Sequence, residues 1–123
     1  MLKFNSILLF SQNPQKLSEF YKKIFGKNPD MEEGGYFGFA LGSGFITIGP
    51  HDKVRGKNLN PERIMINFES ENVEKEFERI KDLGAKVIAE PYHPENDENY
   101  TIATLEDPDG NIFQLNSPWG EKN

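Results

Sequence analysis

The hydrophobic and polar positions of the chain follow one order twice. In each copy, alternating apolar residues that predict a strand precede apolar residues at helical spacing, and short apolar runs follow. The first copy predicts a strand at 3–11, a helix between Asn13 and Gly26, and strands at 36–41 and 45–48. The second copy predicts a strand at 63–69, a helix between Asn72 and Gly84, and strands at 86–90, 100–105 and 112–116. We interpret this order as strand, helix and three strands in each copy.

The residues that bound the predicted helices support the repeat. Each helix is preceded by an asparagine, Asn13 or Asn72, which is typical of a helix N-cap. Superposing these two asparagines also superposes Ile7 on Ile66. The segment 107–110, Asp-Pro-Asp-Gly, suits a type I turn and closes the last predicted hairpin.

We expect one domain over residues 1–123, built from two modules. Module 1 covers residues 1–50, module 2 covers residues 62–117, and residues 51–61 form a polar connector. The length suits a single core, since a chain of 123 residues lies near the usual size of one domain.

Composition excludes several classes of function. The chain has no cysteine, which rules out disulfides, thiolate metal sites and a cysteine nucleophile. Its formal net charge of −6 argues against nucleic acid as a partner, because backbone binding needs clustered Lys and Arg. No apolar run approaches the length that a membrane span needs, and the N-terminus lacks the features of a signal peptide. We therefore expect a cytoplasmic protein with no membrane partner.

Three segments carry a resemblance to a known family: the first helix (17–26), the second helix with the strand after it (72–87), and the final hairpin (106–115). In their order and spacing they resemble the vicinal oxygen chelate superfamily of glyoxalase I, extradiol dioxygenases, fosfomycin-resistance and bleomycin-resistance proteins. The resemblance implies an α+β fold in which tandem βαβββ modules form a curved, eight-stranded open sheet around a cavity, with the helices outside. It also implies a homodimer.

Strand alternation assigns side chains to the two faces of such a sheet. Positions expected to pack on the helices are Ile7, Leu9, Ile46, Ile48, Ile64, Ile66, Phe68, Phe113 and Leu115. Positions expected to face the cavity are Phe4, Ser6, Leu8, Phe10, Phe45, Thr47, Arg63, Met65, Asn67, Glu69, Ile112, Gln114 and Asn116.

The resemblance allows a test for a metal site. Metal-dependent members of the superfamily carry His or Glu at four strand positions, which map here to Ser6, Thr47, Met65 and Gln114. None of these offers a carboxylate or an imidazole, and a hydroxyl, an amide or a thioether is a poor ligand for the usual divalent metals. We therefore expect no metal and no other cofactor, and no catalytic residue is assigned.

The leading hypothesis is a metal-free binding protein, closest in character to the bleomycin-resistance-like proteins, that captures a small cationic or aromatic molecule reversibly. Apolar walls with a few hydrogen-bonding groups suit this role. The candidate ligand-binding residues are Ser6, Phe39, Phe45, Thr47, Met65, Asn67, Tyr100, Gln114 and Trp119.

Two alternatives stay open. One is a metal-dependent lyase, isomerase or dioxygenase with non-standard ligands, which requires His51 and His93 to converge on one cavity. As isolated residues in polar loops, both are interpreted as exposed side chains. The other is a regulatory or binding module without a pocket, in which bulky residues fill the cup: Phe4, Leu8, Phe10 and Phe45.

Overall fold

The computed structural model describes residues 1–119 and divides into two compact units. The first unit is Met1–Gly56, and the second begins at Lys57. Each unit contains an α-helix and a four-stranded sheet, which confirms the α+β class and the two βαβββ modules. The strands pair within their own unit, as two sheets of four. Within residues 1–119, no helix is long and apolar enough to cross a bilayer.

The first unit contains β1 (Ile7–Phe10), α1 (Pro14–Phe25), β2 (Met31–Glu33), β3 (Tyr36–Leu41) and β4 (Gly44–Gly49). The strand order is β1-β4-β3-β2, with β1 parallel to β4 and the other pairs antiparallel.

Helix α1 forms where the sequence supplies both ends and one apolar face. The Asn13 side-chain oxygen accepts a hydrogen bond from the Lys16 N–H at 3.1 Å, and the Gly26 N–H donates to the Lys22 carbonyl from a left-handed conformation. Buried residues along α1 share one stripe and pack on the sheet: Leu17, Tyr21 and Ile24.

The second unit contains β5 (Ile66–Glu69), α2 (Val73–Asp82), β6 (Lys86–Tyr92), β7 (Ile102–Glu106) and β8 (Ile112–Asn116), with a short 3₁₀ turn at Pro94–Asn96. The strand order β5-β8-β7-β6 and the pairing directions repeat those of the first unit. Helix α2 packs on this sheet through Val73, Phe77 and Ile80, all buried.

Matched hydrogen bonds confirm the predicted repeat at the start of both helices. The Asn13 N–H donates to the Ser11 hydroxyl, and the Asn72 N–H donates to the Ser70 hydroxyl, at 3.0 and 3.1 Å. The Asn72 side chain also accepts from the Lys75 N–H at 3.1 Å, as Asn13 does from its own first turn. The same local chemistry therefore connects the first strand to the helix in both units.

The final hairpin is held by a buried aspartate. Asp107 Oδ1 accepts hydrogen bonds from the N–H groups of Asp109 and Asn111, at 2.9 and 3.0 Å, and Gly110 supplies the positive φ that the turn needs. One of the three segments that carry the resemblance, the final hairpin, thus contains a structural turn.

Several predicted boundaries were wrong. The sequence located only two of the three strands after the first helix; the third is β2, a three-residue strand that pairs with β3. Ile64, expected to pack on a helix, is 71% exposed because it precedes the first paired residue of β5. Strand β6 continues past Pro91 to Tyr92, through two register shifts against β7.

Candidate functional site

Each sheet packs on its helix through one face. We call the face away from the helix the open face, and strand pairing assigns the predicted residues to one face or the other. Across the middle of the second sheet, the open face carries a row of polar side chains, Asn67, Gln114 and Thr104. Gln114 Nε2 donates to Thr104 Oγ1 at 3.1 Å, and Asn67 Nδ2 donates to the Met65 carbonyl at 3.4 Å. We call Asn67, Gln114 and Thr104 the amide row.

A second row lies one step further along the strands. Glu69 pairs with Asn116, which pairs with Ile102, which in turn pairs with Tyr92. We call these four residues the terminal row. Its members alternate with the helix-packed residues of the same strands, so they belong to the open face.

Asn116 is the least satisfied residue of the terminal row. It is 8% exposed, and its Nδ2 donates to the Ser117 carbonyl at 3.3 Å, but its Oδ1 accepts no hydrogen bond from residues 1–119. Leaving a buried acceptor without a donor costs roughly 1–3 kcal/mol. Turning the amide over would set oxygen against the Ser117 carbonyl, so the observed orientation is the favourable one.

Aromatic residues border the terminal row. Trp119 Nε1 donates to the Tyr100 hydroxyl at 3.1 Å, while the indole is 73% exposed. Residues 117 and 101 join this segment to β7, since the Ser117 N–H donates to the Thr101 carbonyl and the Thr101 N–H donates to the Ser117 hydroxyl. Two predicted binding residues, Tyr100 and Trp119, are therefore in contact.

The open face of the first sheet is mainly apolar. The Phe45 ring lies over Gly38, where a Cβ atom would come within 2.8 Å of it, and the Tyr36 ring lies over Gly49 in the same way. Thr47 pairs with Gly38 and shares this open face. Ser6 is half-buried just before β1. The structure thus brings Phe45 and Thr47 to one face.

Phe39 is a correction to the predicted site. Its ring is fully buried on the helix side, where it packs edge-on against Phe25 with ring centroids 5.2 Å apart. Alternation along β3 explains this, because Phe39 and the open-face residue Tyr36 are three positions apart and point to opposite faces. Phe39 is a core residue with no access to a ligand.

The two histidines have different local partners. His51 Nδ1 accepts from the Lys53 N–H at 3.1 Å, and the ring packs edge-on against Phe10. His93 Nδ1 donates to the Tyr100 carbonyl at 3.0 Å, which leaves Nε2 as the acceptor of a neutral ring. Both imidazoles are thus tied to nearby backbone groups.

The donor set does not fit a divalent metal. Within residues 1–119, no group of three His, Asp or Glu side chains could hold a metal ion. The positions implied by the resemblance are occupied by Ser6, Thr47, Met65 and Gln114. The Gln114 side chain already donates a hydrogen bond to Thr104. Such neutral groups are weak ligands for the metals that these folds use.

The ionisable groups with clearly shifted pKa values belong to two structural ion pairs and not to this site. The Ala40 N–H and the Lys27 ammonium hold the pKa of Asp30 below its ordinary value. The Arg79 guanidinium lowers the pKa of Glu76 through hydrogen bonds of 2.8 and 3.1 Å, and Glu76 in turn raises the pKa of Arg79. Neither pair lies on the amide row or the terminal row.

Sequence reasoning missed three residues of this surface as binding candidates: Thr104, Glu69 and Asn116. Alternation placed the last two on the open face, but it gave no reason to single them out. The missing hydrogen bond at Asn116 appears only when the partners are seen in three dimensions.

Comparisons with known proteins agree on the fold. The family model described as the Glyoxalase/Bleomycin resistance protein/Dioxygenase superfamily matches residues 3–115. A glyoxalase/bleomycin resistance protein/dioxygenase family enzyme from Burkholderia phytofirmans PsJN is similar, with 21% identity, a TM-score of 0.73, and coverage of 92% of this chain and 96% of that one. Hypothetical protein SA1046 from S. aureus is similar too, with 20% identity, a TM-score of 0.75, and coverage of 96% and 95%. A comparison with curated proteins found no match.

Proposed function

The chain belongs to the glyoxalase/bleomycin resistance protein/dioxygenase superfamily, and we propose that it is a metal-free protein that binds a small organic molecule reversibly. The site is the open face of the second sheet, with the amide row at its centre. The observation that carries the proposal is that neutral side chains occupy the positions where the resemblance implies His or Glu ligands, with Gln114 hydrogen-bonded to Thr104 at the centre of the amide row.

The chemistry of this face supports binding more than catalysis. Its central groups are amides and a hydroxyl, which donate and accept hydrogen bonds but do not exchange protons near neutral pH. Apolar side chains flank them on the same strands, at Ile102 and Ile112. Apolar surface supplies affinity and a few placed polar groups supply orientation, which is the usual division of labour in a ligand site.

The other predicted binding residues fall into two groups, according to the unit that contains them. Met65, Asn67, Tyr100 and Trp119 belong to the second unit, where the Met65 carbonyl accepts from Asn67 Nδ2 and the Trp119 indole donates to the Tyr100 hydroxyl; these contacts support their inclusion in the proposed site. Ser6, Phe45 and Thr47 belong to the first unit and stay predictions, as do homodimerisation and a cytoplasmic location.

A thermal-shift experiment tests the proposal. Untagged protein is analysed for bound metals and then screened, with and without EDTA, against primary amines, neutral aromatics, carboxylates and the ions Ni²⁺, Zn²⁺ and Mn²⁺. We expect an organic compound to raise the melting temperature equally in both conditions, since binding to the folded state stabilises it.

A substitution at Gln114 tests whether the ligand-induced rise in melting temperature arises from binding at the amide row. Gln114→Leu is expected to abolish the ligand-induced shift, whereas Gln15→Leu, the same chemical change on the exposed surface of α1, leaves it intact. About one tightly held metal ion per chain, or a shift that appears only when a metal is added, would contradict the proposal.

A further inference from the structure

The buried side-chain oxygen of Asn116 accepts no hydrogen bond from the part of the chain that the structure describes, so a ligand bound there has to supply the donor. The side chain lies on the open face of the second sheet, more than nine-tenths buried, with its Nδ2 already committed to Ser117. Its Oδ1 can only accept. A ligand group that completes this site must therefore carry an N–H or O–H.

The neighbouring strand adds a second acceptor. Glu69 is the pairing partner of Asn116, at the usual spacing of about 4.8 Å between adjacent strands, and its side chain is exposed. No Lys or Arg of residues 1–119 forms an ion pair with this carboxylate. Two adjacent acceptors, one of them negatively charged, favour a donor with several N–H bonds and a positive charge.

The surroundings favour a cation with an apolar or aromatic body. The terminal row continues from Asn116 to Ile102 and Tyr92, and the Tyr100–Trp119 pair borders it. Exposed aromatic rings attract cations through their faces. Residues 87–119 contain seven acidic side chains and no Lys or Arg, so the charge of this part of the unit is strongly negative.

We propose that the ligand is a small organic amine, bound as its ammonium ion, with the charged group between Glu69 and Asn116 Oδ1 and its apolar body over Ile102 and Tyr92. This inference rests on the proposed function and names its ligand class. Asn116 Oδ1 is shielded from solvent in the free chain, so binding includes a local side-chain movement that admits the donor.

Calorimetric titration of the full chain in EDTA tests the ligand class with two probes of the same shape. Benzylamine, a cation at neutral pH, is compared with benzyl alcohol, which is neutral. We expect benzylamine to bind at least about tenfold more tightly, because only it forms a charge-assisted hydrogen bond. Raising the salt concentration should weaken benzylamine more than the alcohol. Trp119, the only tryptophan, supplies a fluorescence signal for the same titration.

Two substitutions test the residues. Glu69→Gln is expected to weaken benzylamine about tenfold, whereas Glu78→Gln, which removes the same charge from the exposed surface of α2, leaves the affinity unchanged. Asn116→Leu has a similar volume and no unsatisfied oxygen. We expect it to weaken benzylamine about tenfold while the melting temperature stays equal or rises. Loss of affinity together with retained stability separates a ligand contact from a folding defect.

The outcomes distinguish this inference from the proposed function. Equal affinity for the two probes, no binding of benzylamine, or full affinity in both Glu69→Gln and Asn116→Leu would overturn the ammonium site. If benzyl alcohol binds in EDTA and neither substitution changes its affinity, the result supports metal-free binding but contradicts the proposed ligand class. If either probe binds only after Zn²⁺ or Ni²⁺ is added, the proposed function itself falls.

Discussion

The open faces of the two sheets share their strand pairing but differ in chemistry. The pairs Leu8–Thr47 and Phe10–Gly49 of the first sheet correspond to Asn67–Gln114 and Glu69–Asn116 of the second. On the third strand of each sheet, Gly38 corresponds to Thr104. At equivalent places the first face therefore has two apolar side chains, two glycines and the hydroxyl of Thr47. The second face has three amides, a hydroxyl and a carboxylate.

The two faces also differ in packing and in hydrogen bonding. Aromatic rings fill the space over the first face, whereas the second face contains a buried acceptor that receives no hydrogen bond from residues 1–119. In the first sheet, the rings of Phe45 and Tyr36 cover the glycines beneath them. In the second, the position equivalent to Gly49 is Asn116, which keeps an oxygen without a donor. A repeated backbone can thus carry two different surfaces, and the ligand site that we propose lies on the copy with the unsatisfied acceptor.

The largest expected effect separates the core from the open face of the first unit. Phe39→Ala is expected to lower the free energy of unfolding by about 3–5 kcal/mol, because the ring is fully buried against α1. Phe45→Ala removes a ring that lies partly exposed over Gly38, so about 1–2 kcal/mol is expected. Urea unfolding measures both, and equal losses would show that the two faces were assigned wrongly.

The next effect tests whether glycine is needed under the aromatic rings. Gly49→Ala places a methyl group where the Tyr36 ring lies, so we expect a loss of about 1–2 kcal/mol by urea unfolding. Gly44→Ala is the control, because a Cβ at this residue of the same strand would meet only the Leu41 carbonyl oxygen, at an ordinary contact distance of 3.6 Å. A Gly49 variant as stable as the Gly44 variant would mean that the ring moves aside at no cost.

Substitutions of the two helix N-caps test whether the same local hydrogen bond stabilises both units to the same extent. Asn13→Ala and Asn72→Ala each remove one hydrogen bond of 3.1 Å to the first turn. We expect similar losses of about 1 kcal/mol from the two variants, measured by thermal or urea unfolding. A severalfold difference between them would break the local equivalence of the copies.

The smallest effect is the pH dependence of one ion pair. Arg79 keeps the pKa of Glu76 below its ordinary value in the folded chain, so the pair stabilises the fold above that ordinary pKa and loses its effect as the pH falls through the folded pKa. Glu76→Gln is therefore expected to cost a few tenths of a kcal/mol at pH 7, because the pair is largely exposed. As the pH falls below the folded pKa of Glu76, the free energies of unfolding of the variant and the natural chain should converge, and a difference that grows as the pH falls would contradict this.

Local signals in the sequence were enough to predict most of the fold. The asparagine caps, the glycine stops and the Asp107 turn act on residues close in the chain, so pattern and turn chemistry place them directly. Strand alternation then assigned Gln114 and Thr47 to open faces.

The sequence failed where a residue's role depends on its distant partners. Ile64 has the right spacing for the core but lies before the strand begins, and Phe39 looks like a wall of the site but points to the helix. The missing donor at Asn116 depends on what surrounds one oxygen in space. No periodicity in a single chain contains that information.

The most direct test is a two-dimensional ¹H–¹⁵N spectrum of the labelled chain, titrated with benzylamine in the presence of EDTA. We expect the largest shifts at the side-chain amides of Asn67, Gln114 and Asn116 and at the indole N–H of Trp119, with the first unit little changed. Shifts concentrated instead at residues 36–49, or shifts that appear only when a metal ion is added, would contradict a metal-free site on the second sheet.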